Sequence, residues 1–272
     1  MTDFPNIVIK RPPLRYYGGK FRIAPWIIEH LPAHKNYVEV FGGAAGVLLR
    51  KPRSNTEVYN DLDRQVFGFF QILRDKKQRA QLCKQIALTP FSRDEFDLSF
   101  EATDEPIEAA RRFVVRCTFG HGTASVNPDC SNGMRTGDHR AGKSYAREWT
   151  GLPAAIQAAG QRFQGVTLEN LDFRALIPKF ENPDTVFYVD PPYPLSTRCV
   201  HGKSYTHEMS DLDHRDLAWL LKQVKGKVLI SGYECRLYGE LYGDWIRHEK
   251  NTTASGQNGA VQRTEVLWIK PL

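Results

Sequence analysis

The sequence predicts an α/β protein, a parallel sheet flanked by helices and interrupted by a mainly helical insertion. Short apolar strands alternate with amphipathic stretches over residues 36–76, and the alternation returns after residue 151. Between them, residues 77–150 carry helical patterns and a long stretch rich in Gly, Ser, Asn and Asp. Alternating strands and helices mark βαβ units and hence a parallel sheet. The 272 residues, 41% hydrophobic and 25% charged, suffice for one large domain with an insertion. The expected division is 1–76 with 151–272 as one domain, and 77–150 as the inserted region.

Each element has its own signal. NYVEVF at 36–41 reads as the first strand, and GGAAG at 42–46 as the turn that ends it. VLLRK at 47–51 reads as the opening turns of a helix, and TEVYN at 56–60 as the second strand. Over 63–76, Val66, Phe67, Phe70 and Leu73 recur at helical spacing. Residues 77–118 read as helical, most clearly PIEAARRFVVRCTF at 106–119. Residues 119–147 read as a long loop, a class that is usually functional or disordered. Further strands are expected at 165–170, 184–190, 226–232 and 263–270, and helices at 152–163, 211–224 and 235–242.

Composition narrows the function. No apolar run approaches the roughly 18 residues of a membrane helix, and the N-terminus lacks the apolar core of a signal peptide. A cytoplasmic protein with no membrane partner is expected. The five cysteines, Cys83, Cys117, Cys130, Cys199 and Cys235, form no C-x-x-C pair. Neither a disulfide framework nor a zinc site is suggested. The net charge is +6 and the pI about 9.0, which suits a polyanionic partner. Basic residues concentrate in two windows: residues 111–147 hold seven Lys/Arg against two acids, and residues 1–36 hold six against two.

Ligands of open parallel sheets bind at the carboxyl ends of the strands, where three candidate sites are expected. In EVFGGAAG (39–46), glycines let the backbone approach a ligand and the following N–H groups face it; a plain tight turn is the alternative. The P-loop spacing is absent. After the second strand comes NDLD, in which Asp61 or Asp63 can grip ribose hydroxyls or cap a helix. In RYYGGK (15–20), Gly18 and Gly19 can fold over a ligand and bring Lys20 near its carboxylate. DPPY (190–193) ends a buried strand at an acid. Asp190 accepts a hydrogen bond, and the Pro191 carbonyl is free of competition because Pro192 has no N–H. Tyr193 offers a stacking face. Two acceptors and a flat ring describe a clamp for a planar ring bearing an amino group, adenine or cytosine.

As a set, YYGGK, YVEVFGGAAGVLL and DPPY resemble the Dam-like DNA adenine methyltransferases that use S-adenosylmethionine. The order of glycine motif, insertion and DPPY is that of the alpha group. ENLDF, HEMSDLDHRDLAWLL, GKVLISGYE and TEVLWIKP look like its prophage-type branch. The resemblance covers nearly the whole chain outside 77–150 and favours adenine as the target. It implies a Rossmann-like methyltransferase sheet, with the insertion as target-recognition region. Tyr16, Gly18, Gly19 and Lys20 then serve the cofactor, as do Glu39, Phe41, Gly43, Asp61, Asp172 and Asp190. Asp190, Pro191, Pro192 and Tyr193 form the catalytic motif. Two departures stand out: Tyr16 replaces a frequent Trp, and Ala45 replaces a glycine, which calls for a shifted cofactor or a wider turn.

The expected activity is methyl transfer to the amino group of adenine in double-stranded DNA by base flipping, with strict or relaxed site specificity. The basic insertion would hold phosphates, with Arg116, Arg135 and Arg140 as DNA contacts. No metal is required. Methylation of cytosine, RNA or a protein amide is the alternative, a catalytically dead DNA-binding module another, and a nicotinamide dehydrogenase leaves DPPY unexplained. The recognition sequence, the oligomeric state and a restriction endonuclease partner are left open by the residues.

Overall fold

A computed structural model of the chain describes residues 7–121, 133–135, 144–198, 204–256 and 259–271. Helix α1 (Ala24–Glu29), with a proline in its first turn, leads into strand β1 (Asn36–Glu39). β2 (Thr56–Asn60) follows the glycine turn, and α2 (Arg64–Arg74) begins where Asp63 accepts the Gln65 N–H at 2.8 Å. Asp75, Ser92 and Glu105 cap the next three helices, α3 (Lys76–Leu88), α4 (Arg93–Leu98) and α5 (Pro106–Phe119). α6 (Tyr145–Thr150) and α7 (Leu152–Arg162) return the chain to β3 (Val166–Glu169). Then come α8 (Phe173–Lys179), β4 (Thr185–Val189), α9 (Asp211–Gln223) and β5 (Lys227–Gly232). α10 (Arg236–Tyr242) and the hairpin β6 (Ile246–Gly256) and β7 (Gly259–Ile269) complete the fold.

The seven strands lie in the order β3-β2-β1-β4-β5-β7-β6. β1 to β5 pair in parallel, and β7 runs antiparallel to both its neighbours. This is the expected α/β architecture. The chain builds outward from β1 to β3, then crosses back to lay β4 on the other side of β1. Such a reversal leaves a crevice at the strand ends, where ligands bind. It also brings two distant motifs together, since Glu39 on β1 is in register with Tyr188 on β4.

Side chains alternate across the sheet. Tyr37, Tyr59, Tyr188 and Leu229 join a core with α2, α3, α5 and α7. Val38, Val58, Phe187 and Val228 join a second core with α8, α9 and α10. Leu82, Ile86 and Phe113 of the inserted helices belong to the first core, and these helices pack against α2 and α7.

Two expectations change, and a third gains detail. Residues 43–50 form a series of turns, not a regular helix. Ala45 takes a left-handed φ of 56°, and the Leu48 N–H is donated to Glu39 at 2.9 Å, which interrupts the helical ladder. The stretch expected to be helical, 77–118, is helical as three separate helices, α3 to α5. In the expected loop, Gly120 bridges Met134 antiparallel, and α6 occupies 145–150. Among the described residues no helix is long and apolar enough to cross a membrane.

Candidate active site

A cleft of about 1010 Å³, counting its open mouth, lies at the carboxyl ends of β1, β2 and β4. Tyr16, Lys20, Glu39, Asp61, Asp172 and Asp190 all line it. Gly18, Gly19, Phe41 and Gly43 face it too. The crossover thus assembles every expected cofactor residue around one space.

The glycine turn shapes one wall. Gly43 has φ 48°, and a Cβ there would lie 3.1 Å from the Tyr16 ring. Its N–H donates to Asp61 Oδ2 at 2.7 Å, and Asp61 Oδ1 accepts the Asp63 N–H at 2.8 Å. Burial pushes the Asp61 carboxyl up to about 7, against these two hydrogen bonds. The Asp61/Asp63 pair therefore divides its tasks. Asp63 caps α2 and accepts the Thr206 hydroxyl at 2.9 Å, while Asp61 braces the glycine turn. Glu39 Oε2 accepts from the Tyr37 hydroxyl at 2.7 Å and the Leu48 N–H at 2.9 Å. Burial pushes Glu39 up to about 8. At Ala45 the turn keeps a left-handed backbone, a conformation that costs a non-glycine residue about 1–2 kcal/mol. Asp172 caps α8 through the Arg174 N–H at 2.8 Å. Phe41 packs on Phe173 with ring centroids 6.0 Å apart.

Lys20 occupies the centre. Its ammonium donates to the Gly18 carbonyl at 2.8 Å and lies 2.9 Å from Asp190 Oδ1 and 3.8 Å from Glu265 Oε1. Burial alone would lower its pKa, but Asp190 and Glu265 outweigh burial and hold it above the ordinary lysine value. The lysine expected near a ligand's carboxylate is thus paired with Asp190.

DPPY follows β4 directly. Asp190 Oδ1 accepts from Lys20 and from the Ser231 hydroxyl at 2.8 Å. Among the described residues, no hydrogen bond falls on Asp190 Oδ2 or on the Pro191 carbonyl. Pro191 is buried and Pro192 lines the cleft. Tyr193 is 9% exposed and its hydroxyl donates to Glu265. The Lys20 ammonium sits over its ring, 4.8 Å from the centroid, and Tyr233 meets the ring edge-on at 4.9 Å. Arg198 fixes the backbone beyond, bonding the Tyr193 carbonyl at 2.5 Å and Glu208 at 2.9 Å. Glu208 also receives the Ser204 and Tyr205 N–H groups at 2.6 and 2.9 Å, which sets Tyr205 and Thr206 into the cleft wall.

Ser231, Glu265 and Tyr205 were not singled out from the sequence. Glu265 had a signal: in TEVLWIK it shares a strand face with Leu267 and Ile269, an inward position for a charge. Ser231 at the end of VLIS and Tyr205 in a polar stretch had none.

The expected DNA contacts fare differently. Arg116 is corrected: it is 6% exposed, and its guanidinium donates to the Ser99 carbonyl and to Gln65, so it braces α5 against α2 and α4 from inside. Arg135 is half-buried, bonds the Gly120 carbonyl at 2.5 Å and lies over the Tyr145 ring. Arg140 lies outside the described residues.

Comparison with known proteins bears on this geometry. The family described as D12 class N6 adenine-specific DNA methyltransferase matches residues 16–255. A DNA adenine methylase of Haemophilus influenzae is 28% identical over 85% of this chain and 82% of its own. A DNA adenine methylase of Serratia marcescens is 26% identical over 86% of each chain. Modification methylase LlaI of Lactococcus lactis is 22% identical over 96% of this chain and 44% of its own length.

Proposed function

The chain belongs to the D12 class N6 adenine-specific DNA methyltransferase family, and from that premise we propose that it methylates the exocyclic amino group of adenine in double-stranded DNA at the Asp190–Tyr193 motif. The observation that carries the reading is the partition of Asp190. Lys20 and Ser231 hold Oδ1, while Oδ2 and the Pro191 carbonyl accept no hydrogen bond among the described residues, and Asp190 lines the cleft.

The amino nitrogen of adenine is a poor nucleophile because its lone pair is delocalised into the ring. Hydrogen bonds from its two N–H groups to Asp190 Oδ2 and the Pro191 carbonyl favour a tetrahedral nitrogen, with the lone pair directed away from the ring. The work is orientation and preorganised electrostatics. The Lys20–Asp190 pair fixes the carboxylate rotamer before the base arrives. Extruding the base costs a few kcal/mol, and stacking on Tyr193 returns roughly 1–3 kcal/mol.

The cleft fits S-adenosylmethionine as the donor. A Cβ at Gly43 would press on Tyr16, so the turn is cut to glycine size where a ligand passes. Glu39, Asp61 and Asp172 supply acceptors for its hydroxyl and amino groups, and Tyr16 and Phe41 apolar faces. Gly18, Gly19 and Lys20 close the opposite side. When bound, it supplies an electrophilic sulfonium methyl group.

Substrate class is tested by offering labelled donor with DNA, RNA and protein together. Label in DNA, recovered as N6-methyladenine, is the expected result. Label confined to RNA or protein, or recovered as N4-methylcytosine, overturns the reading. Methylation-sensitive sequencing of the same DNA then gives the site and its strictness.

A further inference from the structure

Glu265 is a carboxylate on β7, far in sequence from YYGGK, the glycine turn and DPPY, and only 4% exposed. A buried carboxylate is costly unless paired and hydrogen-bonded. Among the described residues its partners are the Tyr193 hydroxyl and, at 3.8 Å, the Lys20 ammonium. Lys20 in turn lies 2.9 Å from Asp190 and over the Tyr193 ring. One ammonium therefore serves two carboxylates, and both the acid and the ring of DPPY are tied to it. β7 is the neighbour of β5, whose Ser231 holds the other side of Asp190 Oδ1.

We propose that Glu265 is a positioning residue for methyl transfer: it pins the Tyr193 ring by its hydroxyl and shares Lys20 with Asp190. The inference rests on the reading that Tyr193 stacks on the target base. An unpinned Tyr193 can tilt about its side-chain bonds, with the Lys20 ammonium over its face and Tyr233 at its edge left to steady it. Without the Glu265 charge, Lys20 is drawn wholly to Asp190, where it competes with the amino group for the carboxylate. Both effects misplace the base in the transition state and leave the DNA backbone contacts untouched. The signature is a loss in kcat with little change in KM for DNA.

The test compares Glu265→Gln, Tyr193→Phe and the double variant on unmethylated plasmid DNA with labelled S-adenosylmethionine. Each single change should lower kcat about tenfold, the scale of one charge-assisted hydrogen bond, with KM for DNA within about twofold. The double variant should fall clearly short of the product of the two single losses, because the charge-assisted Tyr193–Glu265 bond is lost only once, while Glu265→Gln adds the release of Lys20. A wild-type kcat in Glu265→Gln, with only a lowered melting temperature, overturns the inference. So do losses that multiply to about a hundredfold in the double variant. If Glu265→Gln fails to fold, Tyr193→Phe alone decides: it keeps the ring and loses the link, and a wild-type kcat overturns the inference. Tyr193→Ala separates the two readings. Its wild-type-like turnover sinks stacking itself, whereas a dead Tyr193→Ala beside an unaffected Glu265→Gln sinks only the role of Glu265.

Discussion

Asp61 stands at about 7 against an ordinary 3.8 because burial disfavours its charge. A carboxyl raised on folding binds a proton that the unfolded chain has already released. Its stabilising contribution is complete below about pH 4 and disappears as pH rises through 7. Asp61→Asn removes this titration, so its melting temperature relative to the wild type should rise between pH 4.5 and 8. A difference that is flat with pH, followed by calorimetry without cofactor, contradicts the assignment. At this scale the sequence was legible where chemistry is local. Asp190, Pro192, Gly43 and Lys20 announced themselves through residue type and spacing, and the structure gathers them at one cleft. Arg116 misled because a basic residue on an amphipathic helix reads as solvated, and nothing in its neighbours signals the Ser99 carbonyl that receives it. Ser231 was invisible for a related reason: its role exists only because β5 lies beside β4.

Among the elements, β2 and α7 are joined by a buried ionic knot. Glu57 near the start of β2 receives Lys51 at 2.6 Å and the fork of Arg162, at the end of α7, at 2.6 and 2.8 Å. Glu57→Ala would leave two buried cations without their anion, at a cost of about 3–5 kcal/mol. The urea midpoint should fall accordingly, with no change in the slope of the transition. A loss below about 1 kcal/mol would mean that the cations find solvent or other acceptors. The strands of the parallel sheet were readable as apolar runs because both faces are buried. β6 was not, since its sequence, IRHEKNTTASG, is polar, as befits the edge of the sheet. The turns at 43–50 escaped because VLLRK has helical composition, while the Glu39 carboxylate takes the Leu48 N–H that a helix would use. That contact spans nine residues and leaves no trace in local spacing.

For the whole molecule, the charge of +6 and the crossover at β1/β4 set how DNA is met. The basic window over 111–147 is less available than its count suggests. Arg111 and Arg112 pair with Glu108, Arg111 also with Glu95, and Arg116 is buried. Arg147 remains exposed. Duplex affinity should still fall steeply from 50 to 200 mM salt, with a log–log slope of about −0.9 per phosphate contacted; a flat titration would remove phosphate contacts from the account. Methyl transfer at the Asp190 clamp is measured by nucleoside analysis of plasmid DNA incubated with donor and either the wild type or Asp190→Ala. The account predicts N6-methyladenine with the wild type and a loss of at least about a thousandfold with Asp190→Ala, whose circular dichroism stays native. N6-methyladenine formed at the wild-type rate by folded Asp190→Ala would contradict it.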